Sequence, residues 1–154
     1  MNIAVLYGGI STERNVSIAG GKAVIEALRS KGHNVIAVDP AYGVDGTRSE
    51  EQLTNIGVLP TTDELSQFTP RNIIECINSS LFDNIDVAFI VLHGKFGEDG
   101  IIQAILELRG IPYTGSKVKA SSTAIDKHAS KMLFMAAGIP TPPWVVAHAK
   151  DYDN

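Results

Sequence analysis

The chain has one cysteine, no long hydrophobic run and no excess of basic residues. The single Cys76 excludes an intrachain disulfide and any cysteine cluster that could hold a metal ion. No apolar run approaches the roughly 18 residues of a membrane span, and the first residues lack the pattern of a signal peptide. The net charge of −4 argues against a nucleic-acid-binding surface, which would be basic. These absences predict a cytoplasmic protein that binds neither membranes nor nucleic acid.

The composition that remains is typical of a compact α/β fold. Hydrophobic residues make up 44% of the chain, and there are 14 glycines. A length of 154 residues suits one domain, or one domain with part of a second.

Strands and helices are predicted to alternate along the first 40 residues. Ile3 to Leu6 form an apolar strand, of the kind expected where helices cover both faces of a parallel sheet. Ser11 is a good N-cap for a helix that Lys31-Gly32 would end. Residues 34–38 then form a second strand, and the connection through a helix requires parallel pairing. The pattern predicts a Rossmann-like, three-layer αβα domain with a mostly parallel sheet.

The rest of the chain is predicted to add further elements of the same kind. Residues 41–70 carry many turn signals and are expected to form a variable surface excursion. The next elements are expected to be a helix over 71–78, a strand near 86–92 and a helix that Asp99 caps and Gly110 ends, whose apolar positions are Ile101, Ile102, Ile105, Leu106 and Leu108. An extended segment over 111–114 would follow. A final helix over 124–137 is expected to bury Ile125, Ala129, Met132, Leu133 and Ala136, and an extended stretch begins at Pro142-Pro143.

The first polar loop, Gly8 to Arg14, follows the first strand. Glycines between a strand and a helix can cradle pyrophosphate, but the spacing is not G-x-G-x-x-G. Glu13, expected in the first turn of the helix, would repel a phosphate and suits a ligand ammonium group. The alternative is that Glu13 only stabilises the helix terminus. Arg14 is either a solvated surface charge or a structural tether.

The second polar loop, His93 to Gly100, follows the strand near 86–92, and ligands of open α/β sheets bind beyond this edge. His93 has three interpretations: an acid–base group, a hydrogen-bonding residue that orients a ligand or loop, or a buried structural histidine. An orienting role is favoured. Asp99 is expected to be an N-cap, and Glu98 to hold a loop cation. The spacing matches no recognised metal site.

A third polar region runs from Thr114-Gly115-Ser116 to Lys127 and Lys131. Small and hydroxyl residues precede a helix that carries the two lysines one turn apart. Lysines at i and i+4 are usually a solvated face. Lys127 could instead place a point charge on a polyphosphate.

These motifs, in this order, resemble the amino-terminal part of D-alanine–D-alanine ligases of the ATP-grasp superfamily. The matching segments are 8–17, 93–100, 112–116 and 125–127, and the likeness runs to about Val146. The resemblance implies a pre-ATP-grasp domain over 1–115 and the opening of a central ATP-grasp domain over 116–154. Lys117 stands where the family commonly has glycine.

The resemblance also implies roles for four side chains. Glu13 would hold the ammonium group of the first D-alanine, and Val16 would line its methyl pocket. His93 would support the same site, so that Glu13 and His93 serve catalysis, and Lys127 would contact ATP phosphates.

By the same resemblance, the complete enzyme would use ATP and magnesium to make the D-alanyl-D-alanine dipeptide for peptidoglycan. It would be a homodimer. The magnesium ligands and adenine pocket have no counterpart in this chain, which is therefore expected to fold without ligase turnover. The alternative is a non-catalytic Rossmann-like module for nucleotide binding or association.

Overall fold

The structure is a computed structural model that describes residues 1–48 and 62–147. Its sheet has three parallel strands, which are β1 (Asn2–Leu6), β2 (Asn34–Val38) and β3 (Val87–Ile90). β1 lies in the middle, and the strand order is β2-β1-β3. The predicted parallel sheet and the predicted span of β2 are confirmed.

Helices connect and flank these strands. The helices are α1 (Arg14–Ser30), α2 (Thr62–Gln67), α3 (Pro70–Asn78), α4 (Ile101–Arg109), α5 (Val118–Ile125) and α6 (Lys127–Ala136), with 3₁₀ segments at Pro40–Arg48 and Ser80–Phe82. Within the described ranges, none of the helices is long and apolar enough to cross a membrane.

Helices cover both faces of the sheet, which confirms the three-layer αβα architecture. Because side chains alternate along a strand, β1 contributes to two cores. On the α1 side the buried residues are Ile3, Val5, Tyr7, Ile25, Val35 and Ala37. On the side of α3 and α4 they include Ala4, Leu6, Val38, Ile73, Ile77, Ala88, Ile102 and Leu106.

The extended segment predicted over 111–114 lies beside β3. Ala88 and Tyr113 form a parallel bridge, in which the Ala88 amide donates to Pro112 O (2.8 Å) and the Thr114 amide donates to Ala88 O (3.0 Å). This contact brings the third polar region to the edge of the sheet that carries the second polar loop.

The start of α1 corrects the predicted N-cap. The helix begins at Arg14, so Glu13 occupies the N-cap position rather than the first turn, and it makes no side-chain capping bond. The Ser11 hydroxyl accepts a hydrogen bond from the Glu13 amide (3.2 Å) in the turn before the helix. A serine two residues before the N-cap position can thus close a local turn instead of capping the helix. At the other end, Gly32 follows Lys31 as predicted.

The final helix predicted over 124–137 is present as α6, but it begins later than predicted, at Lys127. The chain forms α5 and α6, separated at Asp126, whose backbone is extended. The Asp126 carboxylate accepts a hydrogen bond from the Ala129 amide (2.9 Å) and caps α6. The predicted burial is wrong, because α6 has no fully buried residue and Ile125, Met132 and Leu133 are exposed.

Two smaller predictions need correction. Leu108, expected at a buried position of α4, is 90% exposed. The predicted surface excursion begins with the 3₁₀ segment Pro40–Arg48, in which Ala41 is buried against α3, so this part is not a surface loop. The turn signals at Gly57 and Pro60 lie outside the described residues.

Candidate functional site

The two polar loops meet at the carboxyl ends of β1 and β3. The contact is seen at Gly94, whose φ is +63°. A methyl group added to Gly94 would lie 2.6 Å from Glu13 Oε2. The Glu13 carboxylate therefore lies against the backbone that follows His93. In the described part of the chain, no ion pair engages this carboxylate.

The imidazole of His93 is fixed by its own loop. Its Nδ1 lies 2.8 Å from Val91 O and forms a hydrogen bond with that carbonyl. A ring held in this way presents its other nitrogen in a defined direction. His93 is partly exposed and is therefore not a buried structural histidine.

Internal hydrogen bonds hold the rest of the second polar loop. Glu98 Oε2 accepts from the Gly94 amide (2.7 Å), so Glu98 binds a loop amide instead of the cation expected from the sequence. Asp99 accepts from the amides of Phe96 (2.8 Å) and Ile101 (3.1 Å). Asp99 thus caps α4 from one residue before the N-cap position, which is Gly100.

Phe96 has the one positive φ, +69°, among non-glycine residues in the described ranges. Such a backbone conformation is uncommon and is retained where surrounding contacts enforce it. Here the Asp99 carboxylate binds the Phe96 amide, and the ring packs on the core next to α4. The second polar loop is therefore held in a strained conformation beside Glu13.

The first polar loop is held by an ion pair that sequence reasoning did not identify. Arg14 is buried, and its Nη2 lies 2.5 Å from Asp39 Oδ2, beyond the end of β2. Arg14 is therefore the structural tether and not the solvated charge. Burial is the largest influence on Asp39 and raises the pKa of its carboxyl, while the Arg14 charge acts in the opposite direction.

A cavity of about 290 Å³ lies between the second polar loop and the third polar region. It confirms that the third polar region reaches the sheet edge, because Thr114, Gly115, Ser116 and Ser121 line it together with Leu92 and Gln103. Gln103 Nε2 donates to Gly97 O (2.9 Å). The buried Gln103 Oε1 has no hydrogen-bond partner in the part of the chain that the structure describes.

The remaining predicted site residues, Val16 and Lys127, lie on two different helices. Val16 is 59% exposed near the start of α1, and Lys127 is exposed at the start of α6, where its Nζ lies 3.4 Å from Ala124 O. Lys131, one turn after Lys127, has its ammonium group engaged elsewhere. Its ammonium donates to Pro142 O (2.9 Å) and to Thr141 Oγ1 (3.2 Å).

The described residues do not fit a magnesium site. Among them, no group of three or more histidine, cysteine, aspartate or glutamate side chains could hold a metal ion. Glu98 and Asp99, the adjacent acids of the second polar loop, are both occupied by backbone amides.

Comparison with known proteins decides the family. The family model described as "D-ala D-ala ligase N-terminus" matches residues 2–116. The chain belongs to the D-alanine–D-alanine ligase family. It is 42% identical over 145 residues to the D-alanine–D-alanine ligase of Carboxydothermus hydrogenoformans, covering 94% of this chain and 36% of that protein. The corresponding ligase of Halalkalibacterium halodurans is 38% identical and is matched over 99% of this chain and 40% of its own length.

Solved structures give the same relationship. The crystal structure of the D-alanine–D-alanine ligase from Bacillus anthracis has a TM-score of 0.63 and 31% sequence identity, and the match covers 94% of this chain and 37% of that one. The same enzyme complexed with ATP matches equally well, with 39% of its chain covered. The chain thus spans less than half the length of these ligase-family relatives. The alternative of an unrelated nucleotide-binding module is not favoured.

The sequence signals for the missed residues are weak but identifiable. Asp39 directly follows the buried strand β2, and Arg14 opens α1 at the same sheet edge. Both are charged residues where parallel strands end, which is where ligand sites and their supports occur. Gln103 carries no such signal, since a polar residue within an amphipathic helix is usually solvated.

Proposed function

We propose that this ligase-family chain provides the amino-terminal substrate domain of an enzyme that joins two D-alanine molecules at the expense of ATP. The observation that supports this most strongly is the free Glu13 carboxylate against Gly94, next to the oriented His93. A carboxylate with no cationic partner among the described residues is suited to a ligand ammonium group.

We assign each substrate residue the role that the family resemblance implies, and its position supports this. Glu13 would bind the ammonium group of the first D-alanine, and Val16, exposed one turn further along α1, would contact its methyl group. His93 would orient the same substrate through the ring nitrogen that Val91 O does not engage. Fixing a substrate in this way can supply a large part of a rate enhancement.

The nucleotide would be held mainly outside this chain. Lys127 is exposed and has only a weak contact to Ala124 O, so its ammonium is available for ATP phosphates. The structure of the Bacillus anthracis relative complexed with ATP supports use of this cofactor. Magnesium would be bound by residues beyond those described here. We further propose that residues 1–115 form the substrate domain and that 116–154 open the ATP-grasp domain, and the family match, which ends at 116, supports this boundary.

The reaction that this site would serve has two steps. A carboxylate oxygen of the first D-alanine attacks the γ-phosphate of ATP and releases ADP. The amine of the second D-alanine then attacks the acyl phosphate carbon and releases phosphate, and the site must keep water away from that intermediate. The residues of this chain would bind and orient the first substrate. Peptidoglycan synthesis as the destination of the dipeptide, a homodimeric state and a cytoplasmic location stay predictions.

The proposal is tested by a hybrid enzyme that joins this chain to the carboxyl-terminal portion of the Carboxydothermus hydrogenoformans ligase. We expect ATP-dependent formation of D-alanyl-D-alanine, measured by ADP release and dipeptide detection. The chain alone, assayed in parallel, should show no turnover. A folded hybrid that binds ATP but forms no dipeptide would contradict the proposed function.

A further inference from the structure

We infer that Arg14 and Asp39 are positioning residues, and that their buried pair sets the place of the Glu13 carboxylate in the substrate site. The inference rests on the proposed function for its meaning in catalysis. Its structural part, that the pair determines where Glu13 lies, can be measured in the chain by itself.

Arg14 connects three parts of the fold through its guanidinium group. Nη1 donates to Gly9 O (2.7 Å) in the first polar loop, and Nη2 pairs with Asp39 Oδ2 (2.5 Å) after β2. The other carboxylate oxygen of Asp39 accepts from the amides of Gly9 and Ala41, both at 3.0 Å. Gly9 is thus bound on its carbonyl by Arg14 and on its amide by Asp39.

The pair is enclosed on its remaining sides. The guanidinium carbon lies 5.0 Å from the centre of the Phe68 ring and 5.7 Å from that of Tyr42, distances at which an aromatic ring attracts a cation. Gly8 has a φ of +74°, and a methyl group there would overlap Asp39 Oδ2 and lie 2.8 Å from Arg14 Nη1. The glycine at position 8 therefore leaves the space that the Arg14–Asp39 pair occupies, and a side chain there would collide with the pair.

The first turn of α1 carries this constraint to Glu13. Arg14 immediately follows Glu13, so anchoring Arg14 toward β2 leaves Glu13 on a different side of the helix. A second anchor lies one turn on, where the Ser17 hydroxyl accepts from the Gly8 amide (2.9 Å) and donates to Val91 O (2.7 Å). Because the first turn of α1 is attached to the ends of all three strands, the backbone at Glu13 is held in place and its carboxylate lies beside Gly94.

Arg109 provides a control with the same chemistry at another place. It also binds one backbone carbonyl, Ile77 O, and one carboxylate, Asp83 Oδ1 (2.6 Å). It ends α4, which packs on the opposite face of the sheet from α1. Replacement of Arg109 therefore reports the loss of a structural clamp that does not touch the first turn of α1.

The first experiment compares Arg14→Lys and Arg109→Lys in the 154-residue chain. Lysine keeps the positive charge but cannot bind Gly9 O and Asp39 in the fixed fork of a guanidinium. We expect Arg14→Lys to shift the carboxyl ¹³C resonance of Glu13 and the amide resonance of Gly94, and Arg109→Lys to leave both unchanged. If Arg14→Lys does not fold, Asp39→Asn replaces it, since the amide oxygen can still bind Gly9. Unmoved Glu13 and Gly94 resonances in a folded variant would overturn the inference.

The second experiment measures kinetics in the hybrid enzyme. A displacement of 1 Å at a site can cost about 100-fold in rate, so a fraction of that displacement predicts a rise of about tenfold in the KM for the first D-alanine in Arg14→Lys. The KM for ATP should not change, and Arg109→Lys should change neither constant. An equal effect of both variants would assign Arg14 a merely structural role. A hybrid inactive with its own residues would defeat the proposed function, while the resonance shifts would still decide whether the pair positions Glu13.

Discussion

Glu13 occupies the N-cap position of α1 without serving as its cap. Residues favoured there accept a hydrogen bond from the helix with a short side chain, whereas the Glu13 carboxylate extends to the backbone at Gly94. A negative charge beside a helix N-terminus is stabilised by the helix dipole and repels a second anion. Under the proposed function, the same residue would favour an amine in the site and disfavour a phosphate at the glycine-rich loop before it.

The absence of a side chain at Gly94 is expected to be needed for the position of the Glu13 carboxylate. In Gly94→Ala the methyl group would meet Glu13 Oε2, a flexible group that can move aside, so the main energetic cost is the positive φ, about 1–2 kcal/mol. Gly110→Ala is a matched control, because its φ is +74° and no atom lies within 4 Å of the added methyl. We expect equal losses in the free energy of unfolding, measured with urea. Only Gly94→Ala should raise the KM for the first D-alanine in the hybrid, and equal KM values would contradict the contact.

Cys76 is expected to be unreactive in the native chain. Burial, assisted by the Asp39 charge, raises the pKa of its thiol to about 12, whereas the pKa of an unfolded cysteine is about 8.5. At pH 8 the native thiol is therefore protonated, and the stability that this protonation contributes declines as the pH rises above about 8.5. Labelling with a thiol-specific disulfide reagent at pH 8 should follow unfolding in urea. Rapid stoichiometric labelling of native protein would show that the thiol is accessible.

At the scale of elements, the sequence predicted the sheet better than the last helices. β2 and the segment at 111–114 were predicted correctly because apolar runs between turn residues admit few alternatives. The apolar stripe of α6 was also recognised, but its exposure was not, since periodicity identifies an apolar face and not what covers it. Leu108 was misplaced for the same reason, being on a helix whose neighbours cover only one side.

The break between α5 and α6 depends on one side chain. Asp126→Ala removes the acceptor for the Ala129 amide and should weaken the start of α6 by about 0.5–2 kcal/mol. Asp126→Asn is the matched control, because asparagine caps helices about as well. Amide hydrogen exchange at Ala129 and Ser130 measures this local stability. Faster exchange in Asp126→Ala alone is expected, and equal exchange in all three proteins would show that the cap contributes nothing.

For the molecule as a whole, the sequence located both loops of the candidate site because each follows an apolar strand. It did not reveal the Arg14–Asp39 pair, which joins residues from different strand ends and depends on how β1 and β2 align. It also did not show that Lys131 anchors the segment at 141–142. Contacts between separate elements require the register of the sheet, which periodicity alone does not provide.

The chain spans less than half the length of its ligase-family relatives. The Carboxydothermus hydrogenoformans and Halalkalibacterium halodurans ligases are matched over 36% and 40% of their lengths. The two cores on either side of the sheet hold the loops that carry Glu13 and His93. Lys127 lies on α6, which packs on α5. On this basis we propose a substrate domain followed by the start of a nucleotide domain.

The most direct test is the first-site KM for D-alanine in hybrid enzymes that carry Glu13→Gln or, as a control on the same helix, Glu26→Gln. Glutamine keeps the shape of Glu13 and removes its charge. A hydrogen bond to a charged group contributes about 1.5–3 kcal/mol, so the account predicts that Glu13→Gln raises this KM at least about tenfold. The KM for ATP and the constants of Glu26→Gln should stay as in the parent. An unchanged first-site KM in Glu13→Gln would contradict the assignment of Glu13 to the substrate ammonium group.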